Sequence, residues 1–267
     1  MTDAVIGLPL CTLYVEAREG SEVADEVLHG MSVTVLGSEE EWLHLRTSYR
    51  YEGFARREAV LKPSPDGWAE RARSVVIAPF ADVMDGPAYR NTIVTTLPRG
   101  ARLLQGAAVE ADGQWSPVAL ADGREGFVRS TSLRSLRTWN EVDEERTRER
   151  LVEDALLYRG TQYRWGGKTP QGIDCSGLCS MAYLLNGLAI YRDAAIREGF
   201  PVRPVAAEKA RRGDLIFWPG HVGLYLGEGR YVHSTGFSGA VVENSLLPGD
   251  GYRDDLARSV SAWGSVF

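Results

Sequence analysis

The pattern of apolar positions divides the chain into an all-strand half and a mixed half. In residues 214–244, apolar and polar residues alternate in short runs, which is typical of half-exposed β-strands. Before them, apolar side chains recur with the i, i+3, i+4, i+7 spacing of one helix face, at Leu178, Met181, Ala182 and Leu185. Helices followed by antiparallel strands predict an α+β fold for this half.

The pattern also bounds the other elements of this half. Four strands are predicted, at 214–218, 221–226, 230–235 and 240–244. The tail, 254–267, is predicted to form one more turn and an edge strand. Two further helices are predicted, at 141–158, where dense charges form a solvated face, and at 192–198.

Two segments of the first half, residues 1–136, repeat one pattern of short strands and turns. Each has an opening glycine, a tryptophan, a Gly-Phe pair eleven residues later and a closing apolar residue. These are Gly30, Trp42, Gly53-Phe54 and Val60 in the first copy, and Gly100, Trp115, Gly126-Phe127 and Leu133 in the second. Such a period is typical of duplicated modules, here linked by residues 62–68, and one barrel of six to ten strands is the alternative. The tryptophans and phenylalanines are predicted to be core residues.

Cys175 is the candidate nucleophile. It follows a glycine-rich loop, residues 166–172, and precedes the apolar helix face. It therefore lies in the first turn of a helix with Asp174 as the predicted N-cap, where unpaired N–H groups and the helix dipole favour a thiolate. Cys11 and Cys179 are predicted to be small core residues.

The chain offers four histidines as a base for this thiol, and two of them fall on neighbouring predicted strands. A three-residue loop at 227–229, built as a type I turn plus bulge, would pair His233 with Gly223 and place His221 on the same face. A two-residue loop would put the two histidines on opposite faces. A base and a group that orients it must lie together, which favours the first register. The other histidines, His29 and His44, are predicted to be ordinary surface or half-buried residues.

Composition limits the function classes. A net charge of −6 and a pI near 5.4 argue against nucleic acid as a partner, and no apolar run approaches the ~18 residues of a membrane helix. The N-terminus lacks a basic n-region and a continuous apolar core, so a cytoplasmic protein is expected if Met1 is the natural start. Three cysteines without metal-ligand spacing fit a reducing compartment, and neither a metal nor a cofactor is expected. The length of 267 residues favours two or three small domains, and a monomer is expected.

Four motifs occur in a fixed order: YRWGG at 163–167, DCSG at 174–177, GDLIFW at 213–218 and GHVGLY at 220–225, followed by a second histidine. This order resembles the NlpC/P60 cysteine peptidases, which have a papain-like fold. The resemblance implies Cys175 as nucleophile, His221 as base and His233 as the third, orienting member. It also implies that Tyr163 lends its hydroxyl to the oxyanion site, beside the Cys175 backbone N–H.

The repeats of the first half resemble bacterial SH3 (SH3b) domains. The two resemblances together predict three domains, two SH3b-like modules at 1–63 and 69–137 and an NlpC/P60 domain at 141–267. The subgroup with N-terminal SH3b modules hydrolyses the γ-D-glutamyl bond to diaminopimelate or lysine in murein peptides with a free N-terminal L-Ala. The resemblance therefore implies a dipeptidyl-peptidase that releases L-Ala-γ-D-Glu in cell-wall peptide recycling.

The resemblance also implies a set of substrate-binding residues, because a free amine needs acidic partners. Asp174 and Ser176 match the DCS pattern of the subgroup, with Asp174 expected to be the main charge partner. Asp193 matches its Arg-Asp pair, although Ala194 stands where a serine often follows. Tyr51 matches a tyrosine of the first module that closes the cleft. Trp165 is either core support or a cleft wall, and a further acidic partner is expected among Glu22, Asp25 and Glu26.

Two other functions compete with this interpretation. The SH3b pair could bind peptidoglycan beside a weak or inactive papain-like domain, which a secretion signal and a missing nucleophile or base would favour. An amidase or acyltransferase would need another nucleophile environment or a lipid-facing surface. The presence of Cys175, His221 and His233 favours the peptidase. The choice between diaminopimelate and lysine stays open.

Overall fold

The computed structural model describes residues 2–62, 64–107, 113–139 and 143–267. The chain divides into two compact units, Met1–Leu136 and Arg137–Phe267. Within the described ranges, no helix is both long and apolar enough to cross a membrane. The predicted division of the first unit into separate modules stays a prediction.

The N-terminal unit contains two antiparallel sheets of seven strands each. The first sheet consists of β1 (Thr2–Ile6), β2 (Leu10–Tyr14), β3 (Val23–Leu28), β4 (Ser32–Glu39), β5 (Trp42–Thr47), β6 (Glu52–Arg56) and β7 (Val60–Leu61). After one helical turn, α1 (Trp68–Arg71), the second consists of β8 (Ser74–Val76), β9 (Phe80–Met84), β10 (Ile93–Pro98), β11 (Arg102–Gln105), β12 (Trp115–Ala119), β13 (Glu125–Arg129) and β14 (Leu133–Ser135). The strand orders are β3-β2-β6-β5-β4-β1-β7 and β10-β9-β13-β12-β11-β8-β14. These orders correspond strand for strand, so the repeat in the sequence is also a repeat in structure.

The repeated aromatic residues differ in burial. The tryptophans are buried as predicted and the phenylalanines are only half-buried, at Trp42, Trp115, Phe54 and Phe127. Side chains alternate between the two faces of a strand, and in β6 the core face is taken by Gly53, where an added Cβ would lie 2.9 Å from the Leu13 Cβ. Phe54 therefore points to the other face, where its ring stacks on His44 at 4.7 Å. The prediction of core phenylalanines is wrong, and that of a half-buried His44 is confirmed.

His29 is buried, so the prediction of a surface or half-buried residue is wrong. Its Nδ1 donates a hydrogen bond to the Gly7 carbonyl oxygen at 2.8 Å. Its Nε2 accepts one from the Ala121 backbone N–H, in the second repeat, at 3.2 Å. Close by, the Trp68 indole N–H donates to the Gly30 carbonyl oxygen at 2.8 Å. His29 thus links the two repeats through a contact 92 residues apart in sequence, which no local pattern indicates.

The C-terminal unit has an α+β arrangement, with two main helices ahead of a six-stranded antiparallel sheet. Its elements are α2 (Glu144–Leu156), β15 (Lys168–Thr169), β16 (Gly172–Ile173), α3 (Cys175–Leu184), β17 (Arg203–Val205), β18 (Leu215–Trp218), β19 (His221–Gly227), β20 (Arg230–Thr235), β21 (Ala240–Ser245), α4 (Asp254–Arg258) and β22 (Ala262–Ser265). The bounds of β18, β19, β20 and β21 agree with those of the four predicted strands to within a residue. The first two residues of the predicted helix 141–158, Glu141 and Val142, lie outside the described residues.

Two predictions for this unit are wrong. The sheet order is β17-β22-β18-β19-β20-β21, so β22 is an interior strand and β17, which was not predicted, forms one edge. Residues 192–198 contain bends and turns and no helix. Arg192, at the start of this segment, is buried and forms an ion pair with Asp174.

The β19–β20 hairpin sets the register of the two histidines in an unpredicted way. Its turn has two central residues, Glu228 and Gly229, both with positive φ, as in a type I′ turn. The register shifts between Tyr225 and Gly227, so Leu226 is an extra, bulged residue in β19. The turn type was predicted wrongly, but the bulge restores the predicted pairing, in which Leu224 lies opposite Val232.

Candidate active site

Cys175 is the first residue of α3, as predicted, and Asp174 is its N-cap. The Asp174 Oδ1 atom accepts a hydrogen bond from the Gly177 backbone N–H at 2.6 Å. The preceding loop packs so closely that a Cβ added at Gly177 would lie 2.2 Å from the Gly167 carbonyl oxygen. The absence of a side chain at Gly177 therefore allows the loop to pack against the first turn of the helix, where Cys175 lies.

A buried ion pair fixes the backbone around the cysteine. Arg192 and Asp174 are both buried and form a bidentate pair, with N–O distances of 3.0 and 2.9 Å. Arg192 also donates to the Ser176 hydroxyl at 2.7 Å, and Asp174 Oδ2 accepts from the Gly166 N–H at 2.8 Å. Both Asp174 oxygens therefore have protein partners. The role of Arg192 was missed, because the sequence reasoning used the Arg-Asp pair only for Asp193.

The structure brings His221 and His233 together on one face of neighbouring strands. The His221 Nε2 and His233 Nδ1 atoms are 2.7 Å apart. The His233 ring is fully buried and packs against Trp218 and Tyr231, while His221 is half-buried. The geometric prediction of a histidine pair is confirmed, and the catalytic roles of its members stay predictions.

Asn244, on β21, extends this pair and was missed by the sequence reasoning. Its Oδ1 atom lies 2.9 Å from His233 Nε2, and its Nδ2 donates to the Gly251 carbonyl oxygen at 2.9 Å. Asn244 lies 11 residues beyond His233, directly in the next strand, so only the strand register reveals the contact. The described site thus contains a chain of polar groups from His221 through His233 to Asn244.

The ionisation of the site follows from burial. Burial, the neighbouring His233 and Arg253 lower the pKa of His221 to about 4, and burial is the main reason why the pKa of His233 also falls to about 4. Burial and the Asp174 carboxylate raise the pKa of the Cys175 thiol, although the N–H groups of Val222 and Ser176 act in the opposite direction. The thiolate expected from the helix N-terminus is therefore not favoured, and the resting groups at neutral pH are a thiol and neutral imidazoles.

Tyr163 and Trp165 differ in exposure. Tyr163 is half-buried, and burial followed by the charges of Cys175 and Asp174 raises the pKa of its hydroxyl. Trp165 is 60 % exposed, so of its two open alternatives core support is excluded. Its role as a cleft wall stays a prediction.

Ser176 and Asp193 line one cleft next to the nucleophile. Cys179, Phe217 and Val222 are among its walls, and the cleft is narrow, with about 10 Å³ accessible to the centre of a water molecule. Asp193 is exposed and accepts a hydrogen bond from the Tyr191 hydroxyl. The structure therefore brings two of the predicted substrate residues together, and their roles stay predictions.

The other candidates are Tyr51 and the two remaining cysteines. Tyr51 belongs to the N-terminal unit, where its backbone N–H bonds to the Thr47 hydroxyl at 3.0 Å. Cys11 and Cys179 are buried, which confirms them as core residues. Among the described residues, no cluster of three or more histidine, cysteine or acidic side chains could hold a metal ion.

The pH dependence of activity follows from the two lowered histidine pKa values. A general base acts in its neutral form, and His221, with a pKa of about 4, stays neutral well below pH 6.5. We expect kcat/KM to hold nearly constant as the pH falls from 7 to about 5 and to drop as it passes through about 4. Because Arg253 lowers both histidine pKa values, Arg253→Gln should move this acid limb to higher pH. A wild-type acid limb near pH 6.5 would contradict the assignment.

Comparison with known proteins agrees with this geometry. Residues 160–260 match the NlpC/P60 family model. The chain is 42 % identical to dipeptidyl-peptidase 6 of Lysinibacillus sphaericus over 99 % of its own length and 100 % of that protein. It is 35 % identical to the bifunctional muramidase/DL-endopeptidase CwlT of Bacillus subtilis, over 40 % of its length and 34 % of that protein. A crystal structure of an NlpC/P60 family protein from Bacillus cereus superposes with a TM-score of 0.78 at 20 % identity, covering 98 % of both chains. The chain therefore belongs to the NlpC/P60 family.

Proposed function

We propose that this protein is a cysteine peptidase that hydrolyses the γ-D-glutamyl bond to a diamino acid in murein peptides with a free N-terminal L-Ala. The observation that carries the proposal is the His221–His233 pair on the strands beside Cys175, with 2.7 Å between the ring nitrogens. Full-length similarity to a dipeptidyl-peptidase 6 supports the choice of reaction. The protein then acts in the cytoplasm in cell-wall peptide recycling.

The reaction proceeds as acyl transfer through the thiol. The Cys175 Sγ–H proton passes to His221, and the sulfur attacks the scissile carbonyl carbon. The Cys175 backbone N–H and the Tyr163 hydroxyl donate to the oxyanion that forms. Collapse breaks the C–N bond, and the proton on His221 goes to the leaving amine. Water, deprotonated by His221, then hydrolyses the thioester and restores the thiol.

The Asp174 carboxylate forms an ion pair with Arg192 and is therefore not free to bind a substrate amine by itself. Its bidentate pairing with Arg192 neutralises its charge, which weakens its predicted role as the main partner of the substrate ammonium. The same pairing holds the Ser176 hydroxyl in place, since Ser176 contacts both side chains. We propose that Ser176 and the exposed Asp193 carboxylate, which line one cleft, provide the local contacts for the L-Ala amine.

The N-terminal repeats are proposed to be SH3b modules, of which the first bounds the pocket for the free amine through Tyr51. Two of the three candidate acidic residues of this module, Asp25 and Glu26, are buried, whereas Glu22 is exposed. The Asp25 carboxylate already accepts a hydrogen bond from the Tyr49 hydroxyl at 2.6 Å. A bounded pocket excludes a glycan on L-Ala by its bulk, which is specificity by steric exclusion.

The test compares L-Ala-γ-D-Glu-diaminopimelate, its lysine analogue and its N-acetylated form as substrates of the full chain. Acetylation removes the charge and adds bulk, so kcat/KM should fall by about ten- to a hundredfold or more. Tyr51→Ala should narrow the difference between free and acetylated peptide. Tyr89→Ala, at a 76 % exposed tyrosine of the second repeat, is the matched control and should leave the difference unchanged. Equal rates on free and acetylated peptide with the wild-type protein would refute the bounded-pocket proposal.

A second function, peptidoglycan binding, has one observation in its favour. The second repeat carries a groove lined by exposed side chains, among them Phe80, Tyr89 and Ile93, with the Arg129 guanidinium 5.4 Å from the Tyr89 ring centre. Aromatic grooves of this kind suit polymer binding. Cosedimentation of Cys175→Ala protein with insoluble peptidoglycan, reduced by Tyr89→Ala, would support this role. Absence of cosedimentation would refute the binding role, and the peptidase function would then be the one proposal that remains.

A further inference from the structure

Asn244 is the end of the polar chain that begins at His221, and its amide orientation is fixed. The Gly251 carbonyl oxygen can only accept hydrogen bonds, so the group that faces it must be the Asn244 NH₂. The same oxygen also accepts from the Ser245 backbone N–H at 2.8 Å, which holds it in place. The Asn244 Oδ1 atom is therefore the one that faces His233, at 2.9 Å.

This orientation decides where the ring protons lie. An amide oxygen only accepts, so His233 must carry its proton on Nε2. A neutral imidazole has one N–H, so His233 Nδ1 is then an acceptor, and His221 must donate to it from Nε2. His221 Nδ1 is left with a lone pair. One peptide carbonyl thus sets the tautomers of two rings in succession.

We propose that Asn244 is a positioning residue that fixes the tautomers of both histidines, so that His221 presents an unprotonated Nδ1 to the Cys175 thiol. The proposal rests on the proposed peptidase function. With the opposite tautomer, His221 would carry its proton on Nδ1 and could not take one from the thiol. Full burial of His233 makes the tautomer depend on Asn244 rather than on water.

The other groups that pack around His233 do not determine its tautomer. Trp218 and Tyr231 present ring faces and edges, with ring centres 6.4 and 5.0 Å away. The charges that act on His233 are those of Arg253 and Asp255, which pair with each other. The contacts recorded for the His233 ring nitrogens are those to His221 and Asn244.

The kinetic test uses the full chain with three variants. Asn244→Ala should lower kcat by about ten- to a hundredfold, with KM within about twofold, because a buried ring loses its acceptor. Asn244→Asp keeps an acceptor and should recover much of kcat, while its negative charge moves the acid limb of kcat to higher pH. Glu243→Gln, next along β21, where the carboxylate pairs with Arg159 and Arg230, is the matched control and should behave as wild type.

A spectroscopic test separates this proposal from the proposed function. Nitrogen-15 spectra of histidine-labelled protein report which ring nitrogen is protonated, whether or not a peptide is cleaved. At pH 7 we expect protonated Nε2 on both rings in the wild type and a mixture of tautomers in Asn244→Ala. Protonated Nδ1 on wild-type His233 would overturn the proposal, as would unchanged tautomers and kcat in a folded Asn244→Ala. If Asn244→Ala does not fold, the wild-type spectrum and the kinetics of Asn244→Asp still test the proposal. Failure of wild-type hydrolysis alone would count against the peptidase function only.

Discussion

Cys175→Ala is expected to abolish hydrolysis of the murein tripeptide, with kcat reduced by roughly four orders of magnitude or more. The thioester intermediate cannot form without the Cys175 sulfur. Cys175→Ser should be nearly as inactive, because a hydroxyl is a much weaker nucleophile at this site. His221→Ala should cost almost as much, and His233→Ala less, since it orients the base.

The measurement is release of L-Ala-γ-D-Glu by the purified full chain, with circular dichroism as the check on folding. Cys11→Ala is the matched control, because Cys11 is a buried core cysteine of the N-terminal unit. That variant should keep its activity, apart from a modest loss of stability. Substantial turnover by Cys175→Ala would end the assignment of the nucleophile.

Arg192→Met is expected to lower the free energy of unfolding of the C-terminal unit by about 3–5 kcal/mol. The substitution leaves the Asp174 carboxylate buried without its cation, although Gly166 and Gly177 still donate to it. Because this carboxylate caps α3, the loss should reach the helix that carries Cys175. The stability measurement is urea denaturation followed by hydrogen exchange within α3.

Two further variants distinguish the ion pair from packing. The double variant Arg192→Met with Asp174→Asn removes both charges and should recover part of the lost stability, as coupled partners do. Arg197→Met is the matched control, since Arg197 is exposed and stacks on Tyr191 at 5.2 Å. A loss below about 1 kcal/mol for Arg192→Met would show that the pair is not a stabilising element.

The sequence alone predicts the helices and strands whose pattern of apolar residues is local. The alternation in 214–244 predicted four strands, and the spacing of Leu178 and Met181 predicted the helix behind Cys175. The Gly-Phe repeat predicted a duplication, and the strand orders of the two sheets correspond. These successes share one cause: period and spacing are properties of neighbouring residues, and neighbouring residues decide helix and strand.

The features that could not be predicted depend on contacts distant in sequence. Arg192 reaches Asp174 across 18 residues, and residues 192–198 form bends and turns where a helix was predicted. His29 is buried because Ala121, in the other repeat, closes over it. Asn244 meets His233 only through strand pairing. In each case a polar residue found its partner through the tertiary fold, which hydrophobic periodicity does not encode.

The bulge at Leu226 separates the tip of the hairpin from the catalytic pair. Its carbonyl oxygen has a fixed partner, since Arg212 donates to it at 2.6 Å, and Arg212 is itself held by Glu149 on α2. The odd residue that brings His221 and His233 to one face therefore lies within the strand, anchored from a helix, and not in the turn. Additional residues could thus be inserted between Glu228 and Gly229 while the pairing of the two rings survives. Loss of the single bulged residue would instead turn one histidine out of the site.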